Sequence, residues 1–242
     1  MTSYALEHFT RDMEALLAPK PPIAEILGAG SQHVHKLLED TEILNQLLTR
    51  LVLDDSFLKA QYQAIDPNDI IIYRSPQRSF SLRAFIWEPG VRYPIHDHGS
   101  WGIVGVYLNP VRERKYLRVD DGQQPHAATV QMKSDEVLLP GQVTTVLPMN
   151  DGIHQMENAG DRGVAVSIHM YGAPVRKGYI QLFDPHFNSV RRVYPPQAFT
   201  RALAIRTLGS IAQPWSKKVL EQASNSDLPD FMKEECLNAL EK

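Results

Sequence analysis

The chain has 242 residues, a formal net charge of −3 at pH 7, 43% hydrophobic residues and a single cysteine. This composition is typical of a folded globular protein and excludes a disordered chain or a disulfide-rich one. No apolar run is long enough to cross a membrane, and no basic cluster marks a nucleic-acid surface. We therefore expect small-molecule partners, with neither nucleic acid nor membrane. Charged residues interrupt any signal-peptide core near the N-terminus, which predicts a cytoplasmic protein.

The spacing of apolar residues divides the chain into three segments. Residues 1–62 show helical spacing and predict an N-terminal helical segment packed on the next one. Residues 63–195 consist of short β-branched and aromatic runs separated by turns, for example Lys115–Val119 and Val164–Met170, and predict a β barrel or sandwich. Residues 196–242 return to helical spacing as a C-terminal extension. The expected fold is mainly β with helices at both ends.

Two histidines, His96 and His98, follow a predicted strand with one residue between them. Side chains at i and i+2 of an extended segment project from the same face, so both imidazoles can reach one metal ion. His33 and His35 have the same spacing within a helical pattern, where it separates two side chains by about 200°. We therefore interpret His33 and His35 as surface or partly packed residues.

A second block around His154 runs from Pro148 through Gly152 to Asn158. Together with the stretch from Gly90 to His98, it resembles the paired metal-binding motifs of the cupin superfamily, although that family usually has Pro-x-Gly-x-x-His. The resemblance implies a cupin double-stranded β-helix barrel, jelly-roll-like, whose interior holds His96, His98 and His154 as metal ligands.

The stretch from Gly99 to Gly105 contains no carboxylate, whereas the first cupin block usually has a glutamate there. Three neutral imidazoles leave the charge of a divalent metal uncompensated and leave coordination positions open. Such a site suits an anionic substrate together with dioxygen. It is compatible with Fe(II) and does not exclude Zn, Ni or Cu.

Ser167, His169 and Tyr171 alternate with Ile168 and Met170. On a strand the three polar side chains share one face, where a hydroxyl, an imidazole and a phenol can hydrogen-bond in series. Tyr171 can then direct its hydroxyl at a metal-bound ligand, with His169 setting the phenol proton.

The histidine pair, His154, the Gly102 region and the Ser167/His169/Tyr171 set together resemble the thiol dioxygenases of the cysteine dioxygenase family, in particular the bacterial members. The resemblance covers roughly residues 65–195. It implies one Fe(II) per chain, O2 as co-substrate and oxidation of a small mercapto-carboxylic acid, such as cysteine or 3-mercaptopropionate, to a sulfinate. Eukaryotic members carry a cysteine near Gly102 that cross-links to the tyrosine. The only cysteine here is Cys236, so we predict no Cys-Tyr thioether.

Arginine is the expected group for the substrate carboxylate, because its planar fork binds carboxylates bidentately. The resemblance favours Arg74 on an early strand, with Gln77 and Arg78 in the hairpin that follows. Two further candidates, Arg83 and Arg176, lie on the next strand and after Tyr171. Trp87 is expected to line the apolar wall of the substrate pocket.

Two other functions remain open at this point. One is a different metal-dependent cupin enzyme, such as an isomerase, a decarboxylase or a dioxygenase acting on carbon. The other is a cupin that binds a ligand without turnover. The missing glutamate argues against the first and Tyr171 against the second. The sequence does not indicate the preferred mercapto acid or the oligomeric state.

Overall fold

The computed structural model describes residues 4–61, 66–161, 163–211 and 213–241. The predicted boundary between residues 62 and 63 lies outside these ranges. The chain divides into two compact units, Met1–Arg192 and Val193–Lys242. The helices within the described ranges are α1 (Tyr4–Leu17), α2 (Ile23–Leu38), α3 (Thr41–Leu53), α4 (Asp55–Ala60), α5 (Pro196–Ile211), α6 (Pro214–Ser224) and α7 (Asp230–Leu240). None of them combines the length and the apolar character that crossing a membrane requires.

The strands within the described ranges lie in the first unit, except that the last residue of the final strand, Val193, belongs to the second. They are β1 (Asp69–Arg74), β2 (Phe80–Trp87), β3 (Ile95–His96), β4 (Gly102–Leu108), β5 (Val111–Arg118), β6 (Val130–Leu138), β7 (Val143–Val146), β8 (Ile153–Asn158), β9 (Ala165–Gly172), β10 (Ile180–Asp184) and β11 (Ser189–Val193). Strand β5 begins four residues before the predicted Lys115–Val119. After Val111, the strand continues with the charged run Arg-Glu-Arg-Lys, whose composition does not predict a strand.

Antiparallel pairing joins the strands into two sheets. Sheet A has the order β1-β2-β9-β4-β7, and sheet B has the order β11-β10-β3-β8-β5-β6. Apolar side chains of both sheets meet in one interior cluster, which includes Phe85 and Val104 from sheet A and Val111 and Met156 from sheet B. The two sheets therefore enclose a common core, and the prediction of a mainly β barrel with helices at both ends is confirmed.

Helices α1 to α3 cover the outer face of sheet A. Their apolar side chains form a second core with Leu82, Ile103, Ile168 and Met170, which alternate with the interior-facing residues of their strands. The approach is close at Gly105, where a Cβ atom would lie 2.7 Å from Leu38 Cδ1. Because both faces of β9 are covered, its residues from Ala165 to Met170 are all buried, polar ones included.

The second unit has its own buried polar contact. Tyr194 donates a hydrogen bond of 2.5 Å to Glu235 Oε1, and the Arg206 guanidinium contacts both oxygens of the same carboxylate at 3.0 Å. Cys236 is buried within this unit, beside Glu235 on α7.

Candidate metal centre

Three histidines converge inside the barrel from two strands of sheet B and the segment that follows one of them. His96 ends β3 and lies directly opposite His154 of β8 in the antiparallel register. His98 follows two residues later. One potential ligand nitrogen from each of the three rings lies within 4.8 Å of the other two. The structure thus brings together the three residues that the sequence predicts as metal ligands.

The hydrogen bonds of these rings determine which nitrogens face each other. His96 Nδ1 donates to the carbonyl of Pro94 at 3.0 Å, which leaves Nε2 as the free nitrogen. His154 Nδ1 lies 2.7 Å from Glu113 Oε1, so that its Nε2 is also free to face inward. This second nitrogen lies only 2.8 Å from His98 Nε2. The arrangement presents ring nitrogens to a common point, as a metal ion requires.

Burial keeps two of the imidazoles, those of His96 and His98, in the form that binds metals. Burial, with the neighbouring His154 as a second cause, lowers the pKa of His96 to about 3. The pKa of His98 falls well below its ordinary value for the same reason, with His96 and His154 adding to the effect. Neutral imidazole carries the lone pair that a metal needs, so the donor set fits a divalent ion that accepts nitrogen.

Glu113 on β5 is a component of the site that the sequence reasoning missed. Its side chain is 3% exposed and contacts His154 from behind. Burial alone would raise the pKa of Glu113, but the hydrogen bond from His154, together with Lys115 and Thr144, outweighs it and lowers the pKa. The alternation of side chains along a strand is the sequence signal that could have revealed Glu113. It lies two residues after the buried Val111 and therefore shares its strand face.

Four side chains form a hydrogen-bonded series on the opposite wall, sheet A. Trp87 Nε1 donates to Ser167 Oγ at 2.8 Å. Ser167 Oγ lies 2.7 Å from His169 Nε2, and His169 Nδ1 lies 2.8 Å from the Tyr171 hydroxyl. The alternation predicted for Ser167, His169 and Tyr171 thus places all three on the interior face.

The direction of this series follows from the donor inventory. Trp87 can only donate, so Ser167 receives that bond and has its own proton available for His169 Nε2. Burial lowers the pKa of His169 well below its ordinary value, and a neutral ring that accepts at Nε2 carries its proton at Nδ1. His169 then donates to Tyr171, whose own proton is left for a partner in the site.

Tyr171 lies beside the histidine trio. Its ring centroid is 4.8 Å from that of His98, and Gly102 lies directly opposite it on β4. A Cβ atom at Gly102 would lie 3.0 Å from the Tyr171 ring, so the absence of a side chain makes room for the phenol. Burial raises the pKa of Tyr171 above its ordinary value of 10, and the phenol remains protonated at neutral pH.

Tyr93 forms a further wall that the sequence reasoning did not single out. Its ring packs edge-on against His96, with centroids 4.8 Å apart, and its hydroxyl donates to Asp66 Oδ2 at 2.6 Å. An aromatic residue three positions before the first ligand is the only sequence signal for it.

The candidate arginines differ in what they contact. Arg83 faces the barrel interior, opposite His169 in the register, and its guanidinium contacts the buried Asp69. Arg74 lies opposite Ser81 at the exposed end of β1. Within the described part of the chain, neither a hydrogen bond nor an ion pair holds Arg74.

Arg176 binds a carboxylate of this chain. Its two terminal nitrogens contact Asp97 at 2.5 and 2.7 Å, and Asp97, between the two ligands of the pair, is fully buried. The backbone amide of Gln181 donates to Asp97 as well, at 2.8 Å. The predicted role of Arg176 in substrate binding stays a prediction and would require this partner to be exchanged.

The barrel and the three-histidine group fit a cupin with a metal site. A family model for cysteine dioxygenase type I matches residues 29–185, well over half of the chain. The chain belongs to this family, as the motifs in the sequence predicted.

Comparison with solved structures shows two cupin proteins and a dioxygenase, all of low similarity. A cupin 2 conserved barrel protein from Rhodopseudomonas palustris is 15% identical, with 49% of this chain and 68% of that one covered at a TM-score of 0.36. The cupin domain of an XRE-family transcriptional regulator from Enterobacter cloacae is 16% identical, with coverages of 44% and 95% and a TM-score of 0.31. A hydroquinone 1,2-dioxygenase is 7% identical, with coverages of 48% and 70% and a TM-score of 0.34.

Proposed function

We propose that the chain is a non-haem Fe(II) thiol dioxygenase that converts a small mercapto-carboxylic acid and O2 into a sulfinate. In this reaction the thiol R–SH and O2 give R–SO2⁻ and a proton, and sulfur supplies all four electrons that O2 accepts. The proposal includes one iron per chain, no Cys-Tyr thioether and a cytoplasmic location. It concerns small molecules and involves no nucleic acid or membrane.

The observation that carries the proposal is the position of Tyr171. The hydrogen-bonded series from Trp87 ends at this phenol, whose ring lies against the ligand His98. A site that only binds a ligand has little use for a proton donor held in this way. Membership of the cysteine dioxygenase family supports the same chemistry.

Iron(II) bound by His96, His98 and His154 would supply the positive charge that ionises a thiol at neutral pH and the redox capacity to activate dioxygen. The protein contributes orientation and protons. His169 holds the Tyr171 oxygen by donating from Nδ1, so the phenol proton points toward the substrate or its oxygen atoms. Tyr171 stays neutral because of burial, and it therefore acts as a hydrogen-bond donor and does not become an anion.

We place the substrate carboxylate at Arg83. Its guanidinium lies on the same interior face as the His169 and Tyr171 series, and its side chain is 25% exposed. Asp69 fixes one terminal nitrogen, while the other forms no hydrogen bond within the described residues. Arg74, on the same face and nearer the open end of the strand pair, is the second candidate. Trp87 lies behind Ser167, and its contribution to the pocket wall remains part of the proposal.

The test is oxygen consumption by the iron-loaded protein with cysteine, 3-mercaptopropionate and cysteamine, and with serine as the control in which a hydroxyl replaces the thiol. We expect one O2 consumed per thiol and, with ¹⁸O2, two labelled oxygens in a sulfinate detected by mass spectrometry. Formation of disulfide and peroxide would contradict the proposal. Conversion of a substrate at carbon would favour another cupin enzyme, and tight binding without O2 consumption would favour a ligand-binding protein.

A further inference from the structure

Glu113 is a buried charged residue that the proposed chemistry does not use. It lies on β5 between Arg112 and Arg114, which both pair with Asp135, and it points into the barrel with 3% of its side chain exposed. Burying a carboxylate is costly unless its oxygens are paired. The hydrogen-bond partners of Glu113 therefore indicate its role.

Both oxygens of Glu113 have partners from neighbouring strands. Oε1 accepts from His154 Nδ1 at 2.7 Å, and Oε2 accepts from Thr144 Oγ1 at 2.8 Å. Lys115 Nζ lies 3.6 Å from Oε2 and is held by Thr144 Oγ1 at 2.9 Å and by the carbonyl of Thr145 at 3.0 Å. Two donors and a nearby cation surround the carboxylate, an environment that suits its ionised form.

The three ligand histidines do not share this arrangement. The Nδ1 of His96 donates to the neutral carbonyl of Pro94, whereas that of His154 donates to a charge. A carboxylate behind a ligand imidazole fixes the tautomer that presents Nε2 to the metal and makes that nitrogen a stronger donor. Among the described residues, His154 is therefore the histidine of the trio whose Nδ1 meets a carboxylate, through which negative charge would reach a bound metal.

We propose that Glu113 is a positioning residue that supplies, through His154, the negative charge that the absent cupin glutamate would have supplied as a direct ligand. The inference rests on the proposed metal centre and adds a determinant of its affinity and reduction potential. Because Glu113 lies behind His154, it occupies no coordination position of the metal. The positions that the three histidines leave open therefore stay available to thiol and O2.

Two variants separate charge from geometry. Glu113→Gln keeps an oxygen that can accept from His154 but removes the negative charge. Thr144→Val keeps the charge and removes one of the bonds that orient it, while Lys115 retains the carbonyl of Thr145. Circular dichroism establishes that both variants fold. The measurements are anaerobic Fe(II) affinity of the metal-free protein and the midpoint potential of the bound iron.

We expect Glu113→Gln to bind Fe(II) about 10- to 100-fold more weakly and to shift the midpoint potential in the positive direction, because the more highly charged oxidised metal loses more stabilisation. Thr144→Val should weaken binding no more than a few-fold and leave the potential unchanged. A Glu113→Gln protein with wild-type affinity and potential would overturn the inference, as would equal shifts of potential in the two variants. Wild-type protein that binds no divalent metal would overturn the proposed function itself.

Discussion

The two walls of the barrel use buried histidines in opposite ways. On sheet B, His96 and His154 each have Nδ1 bound to an oxygen, and Nε2 of His154 faces another histidine of the trio, His98, at 2.8 Å. On sheet A, His169 has both ring nitrogens engaged, one by Ser167 and the other by Tyr171. Burial lowers the pKa of both His96 and His169. Neither burial nor protonation state therefore distinguishes a candidate metal ligand from a histidine that links two hydrogen-bonding side chains.

What distinguishes them is the partner of the second ring nitrogen. A histidine whose second nitrogen faces only other histidines of the trio can bind a metal with it, whereas His169, with both nitrogens held by hydroxyl groups, links two hydrogen bonds in a series. Under the proposed function, sheet B and its adjoining segment retain the metal, and sheet A supports turnover. Substitutions on the two walls should therefore give different kinds of defect.

The most complete effect is expected for His154→Ala, which removes a ligand from the sheet B wall. Iron content should fall from one per chain to a trace, with O2 consumption lost in parallel, when measured by metal analysis and an oxygen electrode. His186→Ala, in an exposed turn, is the matched control and should retain its iron. A His154→Ala protein that keeps stoichiometric iron would refute the division between the walls.

Arg176→Met tests whether the segment between the ligands depends on its buried ion pair. Removing the guanidinium leaves Asp97 charged and fully buried, which should lower the free energy of unfolding by about 3–5 kcal/mol. Denaturant titration measures the change. The control is Arg112→Met, whose pair with Asp135 is more exposed and should cost no more than about 1 kcal/mol. Equal costs for the two variants would show that Asp97 does not need its partner.

Tyr171→Phe should lower kcat about 100-fold because it removes the proton donor at the end of the sheet A series. Iron content should stay at the wild-type level, since Tyr171 holds no metal. Steady-state O2 consumption together with metal analysis gives both quantities. Loss of iron in this variant would break the comparison, because a sheet A residue would then contribute to retention.

Arg83→Gln should raise KM about 10-fold for a thiol with a carboxylate, since a charge-assisted hydrogen bond is lost, and much less for cysteamine. The ratio of KM for the thiol with a carboxylate to KM for cysteamine cancels any general effect of leaving Asp69 without its partner. Arg74→Gln is the matched variant from the same strand pair. If Arg74→Gln changes the ratio and Arg83→Gln does not, the carboxylate is bound at the position that the sequence favoured.

The smallest effect is expected for Trp87→Phe, which keeps an aromatic ring but removes the N–H that orients Ser167. The loss of one hydrogen bond at the far end of the series should lower kcat about 2- to 10-fold without changing iron content. Kinetics and metal analysis on the same preparation provide the check. Unchanged kcat would show that Ser167 keeps its orientation without the hydrogen bond from Trp87.

Local spacing made a large part of this centre predictable. His96 and His98, two residues apart on an extended segment, and Ser167, His169 and Tyr171, alternating on a strand, follow from strand geometry alone. The family resemblance supplied the third ligand. Helical and strand segments were also recognisable, because apolar periodicity reflects which face of each element is buried.

The remainder depends on contacts between distant parts of the chain. Asp97 looks like a spacer in the sequence, and its partner Arg176 is 79 residues away. Glu113 lies in a charged run that resembles a solvated surface, and only its pairing with β8 shows that it is buried behind His154. For Arg74, a register shift between Ile71 and Tyr73 changes which side chains of β1 share a face, and spacing cannot reveal such a bulge.

The close contact of α2 with Gly105 links the helical layer to the chemistry of the barrel. The helices press on Ile168 and Met170, the residues that alternate with Ser167, His169 and Tyr171 along β9. A Cβ atom at Gly105 would meet Leu38 and Val34 of α2, whereas one at Gly30 would lie 3.4 Å from Met170 of β9, the strand whose interior face carries Tyr171. Under the proposed function, a substitution at Gly30 would alter turnover by displacing β9, while His96, His98 and His154 on the other wall stay in place.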